Sequence, residues 1–281
     1  MDFLSLDPLL EKALHEDIGR GDITSEAIRK AIPQSGQKDV LAMVIGKEPL
    51  VVAGWPVFLR VFQLLGEVEV VDAPEEGAHF QAGRVGRLRA NPFLLLRGER
   101  VALNLFQRTC GIATHTANLV EMVSHTGVRL LDTRKTTPLW RDLEKYAVRT
   151  GGGHNHRWRL DDAILVKNNH IEIAGGVAAA VEACRAWAPH LGRVEVEISS
   201  LDQLEEAIGA GAEVVLLDNM SPAQARQAVE RAASRCQLEV SGSITAANLV
   251  TYAETGVQFI SIGALTHSVR ACDISFQFEA A

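Results

Sequence analysis

The stretch from residue 194 to residue 263 decides the fold, because it repeats one pattern. Its short apolar runs are VEVEI at 194–198, VVLLD at 214–218, LEVSG at 238–242 and FISIG at 259–263. Segments with helical periodicity separate these runs, at 201–209, 222–234 and 245–255. Strands that alternate with helices in this way form parallel sheets with right-handed crossovers. We therefore predict consecutive parallel strands joined by helices.

The same alternation begins upstream, with apolar runs at 130–132 and 163–167 and a helical segment at 176–187. Six such strands favour a closed or nearly closed β/α barrel over an open doubly wound sheet. No GxGxxG motif follows any of the strands, which argues against a dinucleotide-binding fold.

The first hundred residues are organised differently. Their β-rich runs lie at 39–47, 66–73 and 85–90, with helical segments at 8–15 and 49–65. Grouped strands with helices beside them predict an α+β sandwich. A long helical stretch at 99–123 follows, and we expect it to break near Gly111.

Composition excludes several classes of protein. The 281 residues are 47% hydrophobic and 22% charged, which is typical of a soluble globular protein. A formal charge of −7 argues against nucleic-acid binding. Four cysteines without CxxC spacing indicate reduced thiols, and no apolar run is long enough to cross a bilayer. We expect a cytoplasmic protein with neither nucleic-acid nor membrane partners.

Charged side chains follow the predicted barrel strands, at the positions where such barrels carry their active sites. Arg134 and Lys135 follow the first strand, and Lys167 ends the second. Glu197 and Asp218 end the next two strands. The two acids suit a partly hydrated Mg²⁺ that bridges to substrate phosphates. Ion pairs with the neighbouring lysines and arginines are the alternative interpretation.

Small residues follow the last two strands, as Ser241-Gly242-Ser243 and Gly263-Ala264-Leu265. Exposed backbone N–H groups in such loops, ahead of a helix, bind phosphate. Glycine in a strand-to-helix loop is also common as a simple turn, so both interpretations stay open here.

Positive charge is concentrated between residues 129 and 170, where nine Lys and Arg face five Asp and Glu. A cationic region in an acidic protein attracts anionic ligands. Besides Arg134, Lys135 and Lys167, we select Arg157, because it follows the glycine run at 151–153. We interpret His156 as a hydrogen-bond donor to an anionic substrate. His154-Asn155-His156 is too weak a pattern for zinc.

The spacing of Cys110 and His115 resembles that of a nucleophile and its base, but only in sequence. They lie in an apolar helical stretch, so we expect Cys110 to be a buried small side chain.

Several segments together resemble the quinolinate phosphoribosyltransferases, the type II phosphoribosyltransferases of NAD biosynthesis. They include HEDIGRGDITS at 15–25, LDTRKTTPLWRDLEKYAVRTGGGHNHR at 131–157, ILVKNNHI at 164–171 and EVSGSI at 239–244. The resemblance implies an N-terminal α/β sandwich at 1–110, joined by the tail 271–281, and an incomplete TIM-like barrel at 111–270. It also implies a homodimer, or a higher oligomer, with shared active sites.

The resemblance also implies roles for individual residues. It implies that the dicarboxylate quinolinate is bound by Thr133, Arg134, His156, Arg157 and Lys167, together with Arg100 of the neighbouring subunit. It implies that Lys135, Glu197 and Asp218 bind the donor, 5-phosphoribosyl 1-pyrophosphate, and its Mg²⁺. The residues implied to bind the 5-phosphate of the donor are Ser241, Gly242, Ser243, Gly263, Ala264 and Leu265. No organic cofactor is implied.

The chain departs from the family pattern at three positions. Cys110 stands where a serine is expected, Ser243 where glycine is common and Asn168 where an acid is common. Ser243 and Asn168 bear on the geometry of the phosphate loop and of Lys167.

Three other functions remain as alternatives. A Schiff-base aldolase built on Lys167 would use the same phosphate loops, but it gives Arg134 and Arg157 no role. A pyrophosphorylase-like protein of molybdate uptake shares the family fold. A non-catalytic module that binds sugar phosphates is the third.

Overall fold

The structure is a computed structural model that describes residues 2–32 and 38–279. The helices are α1 (Phe3–Ile18), α2 (Ile23–Ala31), α3 (Trp55–Gln63), α4 (Pro92–Met122), α5 (Arg141–Thr150), α6 (Asn168–Ala174), α7 (Val177–Trp187), α8 (Leu201–Gly209), α9 (Pro222–Ala232), α10 (Ala246–Ala253) and α11 (Ala264–His267). The strands are β1 (Val40–Gly46), β2 (Leu50–Val51), β3 (Glu69–Asp72), β4 (His79–Phe80), β5 (Gly83–Ala90), β6 (Arg129–Leu131), β7 (Ile164–Val166), β8 (Val194–Ile198), β9 (Val214–Asp218), β10 (Gln237–Ser241), β11 (Phe259–Ser261) and β12 (Ile274–Phe278).

The chain divides into two compact units. The first comprises Met1–His115, Pro138–Gly151 and Val269–Ala281, and the second comprises Thr116–Thr137 and Gly152–Ser268. The predicted limits of the first domain, 1–110 and 271–281, include some residues that the structure does not describe. These are Met1, residues 33–37, Ala280 and Ala281.

The first unit is built on an antiparallel sheet with strand order β12-β1-β5-β3, beside a short ribbon of β2 and β4. Aromatic rings from α3, α4 and β12 form the centre of its core. Phe58 and Phe106 lie 5.3 Å apart between ring centroids, and Phe62 stacks on Phe276 at 5.5 Å. The last strand of the chain therefore contributes to the core of this unit, through Phe276.

Residues 138–151 differ from the predicted division, because they belong to the first unit although they lie inside 111–270. Arg108 on α4 forms an ion pair of 2.6 Å with the buried Glu144 on α5. The hydroxyl of Tyr146, also on α5, donates to Glu76. A buried charge is costly unless it is paired, so these contacts tie α5 to the first unit.

The predicted break at Gly111 is wrong, since α4 continues through it from Pro92 to Met122. A Cβ built on Gly111 would lie 2.3 Å from the carbonyl oxygen of Arg270. The glycine therefore allows the backbone at 270–271 to approach the helix closely, and it does not end the helix.

The second unit is a six-stranded parallel sheet in the order β6-β11-β10-β9-β8-β7. Each of its central strands contributes fully buried valines, such as Val196, Val215 and Val240. The first and last strands in this order, β6 and β7, do not pair with each other. The predicted class, an α/β protein with an N-terminal sheet domain followed by an incomplete barrel, is confirmed.

No helix within 2–32 and 38–279 has the length and apolar character that a membrane crossing requires.

Candidate active site

A cavity of about 890 Å³ lies in the second unit, at the carboxyl ends of the parallel strands. It collects most of the residues predicted from the sequence: Thr133, Arg134, Lys135, His156, Arg157, Lys167, Glu197, Asp218, Ser241, Gly242, Ser243, Gly263 and Ala264. The topology explains this convergence, because parallel strands bring their carboxyl ends to one edge.

Two predicted residues do not line the cavity. Arg100 is exposed on α4, in the first unit. Leu265 is fully buried, and its backbone N–H donates to the carbonyl of Ile262 at 3.3 Å. Leu265 is therefore a core residue, and its N–H is already used by Ile262.

The strand order arranges the charges along the edge of the sheet. Lys167 follows β7, Glu197 and Asp218 end β8 and β9, and Ser241 ends β10. The Gly263 loop follows β11, and the cations Arg134 and Lys135 follow β6. Two carboxylates thus lie between a lysine and the two small-residue loops.

Glu197 is ion-paired in the structure, as the alternative interpretation predicted. Its Oε2 accepts from Lys167 Nζ at 2.9 Å, and its Oε1 accepts from Asn168 Nδ2 at 3.2 Å. Asp218 lines the cavity and has no side-chain partner among the described residues. Asp218 is therefore the carboxylate open to a cation, whereas Glu197 would have to share its oxygens with Lys167 and Asn168.

Arg157 and Arg134 place two guanidinium groups close together. Burial and the charge of Arg134 hold the pKa of Arg157 below its usual value, and Glu195 and Asp162 partly offset this. Arg157 is fixed by a hydrogen bond from Nη1 to the carbonyl of Ala163 at 2.9 Å. Two neighbouring cations repel each other, and an anion bound between them relieves that repulsion. Arginine binds carboxylates through two parallel hydrogen bonds.

His156 uses both ring nitrogens within the protein. Its Nδ1 accepts from the backbone N–H of Arg157 at 2.7 Å, and its Nε2 lies 3.0 Å from Oε2 of Glu195. The role of His156 as a donor to an anionic substrate stays a prediction. That role would require Nε2 to exchange Glu195 for the substrate.

Two buried acids were not predicted from the sequence: Glu195 on β8, which does not line the cavity, and Glu239 on β10, which does. They are 9% and 2% exposed, respectively. Burial, together with the charge of Glu195, raises the pKa of Glu239 to about 8. The sequence VEVEI contained a signal for Glu195. Because side chains alternate between the two faces of a strand, Glu195 must point to the same face as Glu197.

Asp132, also missed, connects β6 to the segment that carries His156 and Arg157. The fully buried carboxylate accepts from Asn155 Nδ2 at 2.5 Å and from the backbone N–H of His156 at 2.9 Å. Its position immediately after an apolar run was the available signal.

Two hydroxyl groups hold the backbone of Lys135. Thr133 Oγ1 accepts from the N–H of Lys135 at 3.0 Å, and Thr266 Oγ1 donates to its carbonyl at 2.8 Å. A Cβ on Gly263 would lie 3.1 Å from Lys135 Cδ. Lys135 is thus held against the second small-residue loop.

The loop at 241–243 has a left-handed backbone, with φ of 99° at Gly242 and 54° at Ser243. Glycine adopts such angles without strain, whereas Ser243 holds a left-handed φ that few residues with a side chain adopt. Among the described residues, the N–H groups of Ser243, Gly263 and Ala264 donate to no protein acceptor. These donors are available to a phosphate.

Cys110 is fully buried in the first unit, as expected, with its Sγ 3.6 Å from the carbonyl oxygen of Ala53. Burial raises the pKa of its thiol well above the usual value. It therefore has the properties of a packing residue and not of a nucleophile.

An incomplete parallel barrel with two small-residue loops and a cluster of cations defines a class: α/β-barrel proteins that bind phosphorylated, anionic ligands. Comparison with known proteins makes this specific. Residues 22–110 and 112–277 match the N-terminal and C-terminal domains of quinolinate phosphoribosyl transferase, respectively. The chain belongs to the quinolinate phosphoribosyl transferase family.

Named relatives and solved structures agree with this assignment. The carboxylating nicotinate-nucleotide pyrophosphorylase of Mycobacterium leprae is 42% identical over 273 residues, covering 94% of each chain. The probable enzyme of the same name from Bacillus subtilis is 42% identical over 277 residues, covering 98% of this chain and 94% of its own. The crystal structure of NadC from Streptococcus pyogenes superposes with a TM-score of 0.92 at 38% identity, covering 99% of this chain and 98% of that chain.

Proposed function

We propose that the protein transfers the phosphoribosyl group of 5-phosphoribosyl 1-pyrophosphate to quinolinate, giving nicotinate mononucleotide, pyrophosphate and CO₂. The observation that carries this proposal is one cavity lined by four Lys and Arg side chains, three acidic side chains and two loops with open N–H groups. The relatives' name, carboxylating pyrophosphorylase, describes the same reaction in reverse.

The acceptor end of the proposed site is cationic. Arg134, Arg157 and Lys167 line the cavity, and two neighbouring guanidinium groups match a ligand with two adjacent carboxylates. Lys167 already pairs with Glu197, so a bound carboxylate would compete for this lysine. Such contacts would fix the ring so that its nitrogen faces the ribose.

The donor end lies at the two small-residue loops. The open N–H groups of Ser243, Gly263 and Ala264 would bind the 5-phosphate. Lys135, held beside Gly263, would stabilise negative charge on the departing pyrophosphate.

The proposed chemistry balances without an organic cofactor. The ring nitrogen forms a bond to C1 of the ribose as the bond from C1 to the pyrophosphate oxygen breaks. The ribosylated ring is a pyridinium, which can accept the electron pair left when the adjacent carboxylate departs as CO₂. A proton then takes the place of that carboxylate on the ring carbon.

We propose Mg²⁺ as the metal of this site, held by Asp218 and, through water or a shared oxygen, by Glu197. The donor set fits, because carboxylate oxygens are hard ligands and Asp218 has no protein partner among the described residues. When bound, Mg²⁺ neutralises charge on the pyrophosphate.

The Schiff-base alternative is not favoured. Its nucleophile must be free to attack a substrate carbonyl, whereas Lys167 Nζ donates to the Glu197 carboxylate at 2.9 Å. An aldolase built on Lys167 would also give Arg134 and Arg157 no role.

Quinolinate is expected to be a far better acceptor than nicotinate or nicotinamide. Losing one buried carboxylate contact costs about 2 kcal/mol or more, so kcat/KM should fall by at least roughly 30-fold for nicotinate. Release of pyrophosphate and CO₂ would be measured with each acceptor, with and without EDTA. Equal turnover of nicotinate and quinolinate would contradict the acceptor assignment, and full activity in EDTA would contradict the metal.

We further propose that the active protein is a homodimer whose sites are completed by Arg100 of the neighbouring subunit. Arg100 is an exposed cation on α4 that does not line its own chain's cavity. A two-fold dimer can present such a residue to the partner's cavity.

Mixing two inactive variants tests the shared site. Arg100→Ala and Lys135→Ala homodimers should each be nearly inactive. In a mixed dimer one site has both residues and the other has neither, so random exchange should restore roughly a quarter of the sites. The variants would be co-refolded and assayed, with subunit exchange verified by mass labels. Verified exchange without recovered activity would show that Arg100 serves its own subunit or neither.

A further inference from the structure

Three side chains form a cluster at the cavity: His156 and Glu239, which line it, and the buried Glu195, which does not. The proposed chemistry uses neither glutamate. One ligand atom from each lies within 4.8 Å of the other two. One carboxylate oxygen of each glutamate, Oε1 in both, is buried without a hydrogen-bond partner among the described residues. Unpaired buried acceptors are costly, so this cluster requires an explanation.

The hydrogen bonds of His156 determine where its proton lies. Its Nδ1 accepts from the backbone N–H of Arg157, so Nδ1 carries no hydrogen. A neutral imidazole then carries its hydrogen on Nε2, which lies 3.0 Å from Oε2 of Glu195. His156 therefore donates to Glu195, and its ring orientation depends on that carboxylate.

The same tautomer argues against a metal ion in the cluster. A metal on Nε2 would replace the hydrogen there, while Nδ1 remains committed to the N–H of Arg157. The ring would then have to be an imidazolate. A proton between the carboxyl groups requires no such change.

One oxygen atom of each carboxyl group lies within 4.8 Å of the other, and two buried carboxyl groups so close together do not both ionise, so one of them carries a proton. Glu239 is the more buried, at 2% exposed, and its Oε1 lies farther from His156 Nε2, at 3.8 Å. Glu195 accepts from His156 and interacts with the charge of Arg157. Burial favours the neutral form and a nearby cation favours the charged form, so the proton belongs on Glu239.

We propose that protonated Glu239 donates to the Glu195 carboxylate, and that this pair holds His156 and Arg157 in position for the acceptor's carboxylates. This inference rests on the proposed function only for the identity of the acceptor. Both glutamates are positioning residues, since they act through His156 and the backbone of Arg157. In this arrangement Glu195 accepts from both His156 and Glu239, whereas Glu239 is a donor.

The proposal predicts unequal effects of the same substitution. Glu239→Gln keeps a neutral donor beside Glu195 and an oxygen for the hydroxyl of Ser261, which bonds to Glu239. Glu195→Gln leaves one acceptor oxygen for two donors and turns an N–H group toward one of them. We expect Glu195→Gln to lower kcat/KM for quinolinate by about 10- to 100-fold, and Glu239→Gln by less than about fivefold.

Steady-state kinetics would be measured with each substrate varied in turn. For Glu195→Gln, the KM for quinolinate should rise much more than the KM for the ribosyl donor, which a general loss of folding would not produce. Glu205→Gln is the matched control, because Glu205 is exposed on α8 and pairs with Arg235; it should behave as wild type. Equal losses in Glu195→Gln and Glu239→Gln would overturn the proposal.

An infrared spectrum of the protein labelled with ¹³C-glutamate tests the proton directly and without substrate. The wild type should show the C=O stretch of a protonated carboxyl at neutral pH, and Glu239→Gln should lack it. This measurement decides the matter even where Glu195→Gln does not fold or quinolinate is not the acceptor. Absence of the band from the wild type, or its persistence in Glu239→Gln, would overturn the proposal.

Discussion

Arg157→Ala is expected to lower kcat/KM for quinolinate by roughly 30- to 5,000-fold, with a much smaller effect on the KM for the ribosyl donor. Truncating one partner of a buried charge-assisted contact costs about 2–5 kcal/mol. Arg157 lies beside Arg134, and its backbone N–H donates to His156, at the proposed acceptor end of the cavity. Initial rates with each substrate varied would measure both constants.

Lys135→Ala should show the opposite pattern, because Lys135 is held at the Gly263 loop. Its KM for the ribosyl donor should rise, and its KM for quinolinate should change little. Arg226→Ala, which removes an exposed arginine that does not line the cavity, is the control for loss of positive charge alone. If Arg157→Ala and Lys135→Ala both weakened the same substrate, the assignment of the two ends would be wrong.

Gly242→Ala is expected to disable the donor site and to destabilise the fold. A Cβ there would lie 2.2 Å from Oδ1 of Asn219 and 3.1 Å from the Asn219 backbone nitrogen. The φ of 99° is strained for alanine, which alone costs about 1–3 kcal/mol. We expect a KM for the ribosyl donor at least tenfold higher, on the order of 1.4 kcal/mol of lost binding, and a lower free energy of unfolding. Donor-dependent kinetics and urea denaturation would measure these effects.

Gly209→Ala supplies the matched comparison. Gly209 ends α8, its φ is not positive, and nothing lies within 4 Å of a Cβ built on it. Alanine should therefore raise the free energy of unfolding by about 0.5–1 kcal/mol, with unchanged kinetics. If Gly242→Ala bound the ribosyl donor as the wild type does, the loop would not be the phosphate site.

The sequence predicted the barrel strands well, because each is a short apolar run next to a polar residue that marks its end. The helix predicted at 49–65 was less accurate. Leu50–Val51 forms β2, and α3 begins only at Trp55, after Gly54 adopts a φ of 92°. A Cβ on Gly54 would lie 2.7 Å from Oγ1 of Thr109. That constraint comes from a residue far away in the chain, so no local pattern could show it.

The residues of the candidate site likewise differ in how well the sequence predicted them. Side chains that follow strand ends, such as Lys167 and Asp218, were found because topology alone brings strand ends together. Glu195 and Glu239 were missed, since a glutamate within an apolar strand has no distinctive local pattern until the face it occupies is known. Leu265, assigned to the phosphate loop from the sequence, does not line the cavity. Only the structure shows that its N–H already donates to the carbonyl of Ile262, ahead of α11.

The strand order of the parallel sheet has a consequence for when the cavity can exist during synthesis of the chain. β6 is the first of the six strands to be made, yet it enters the sheet through β11, the last. The hydrogen bond from Thr266 to Lys135 spans 131 residues. Closing loops of this length makes such contacts slow to form. A nascent chain that ends before β11 therefore has no partner strand for the loop that carries Arg134 and Lys135, and ligand binding should begin only after residue 266 has left the ribosome.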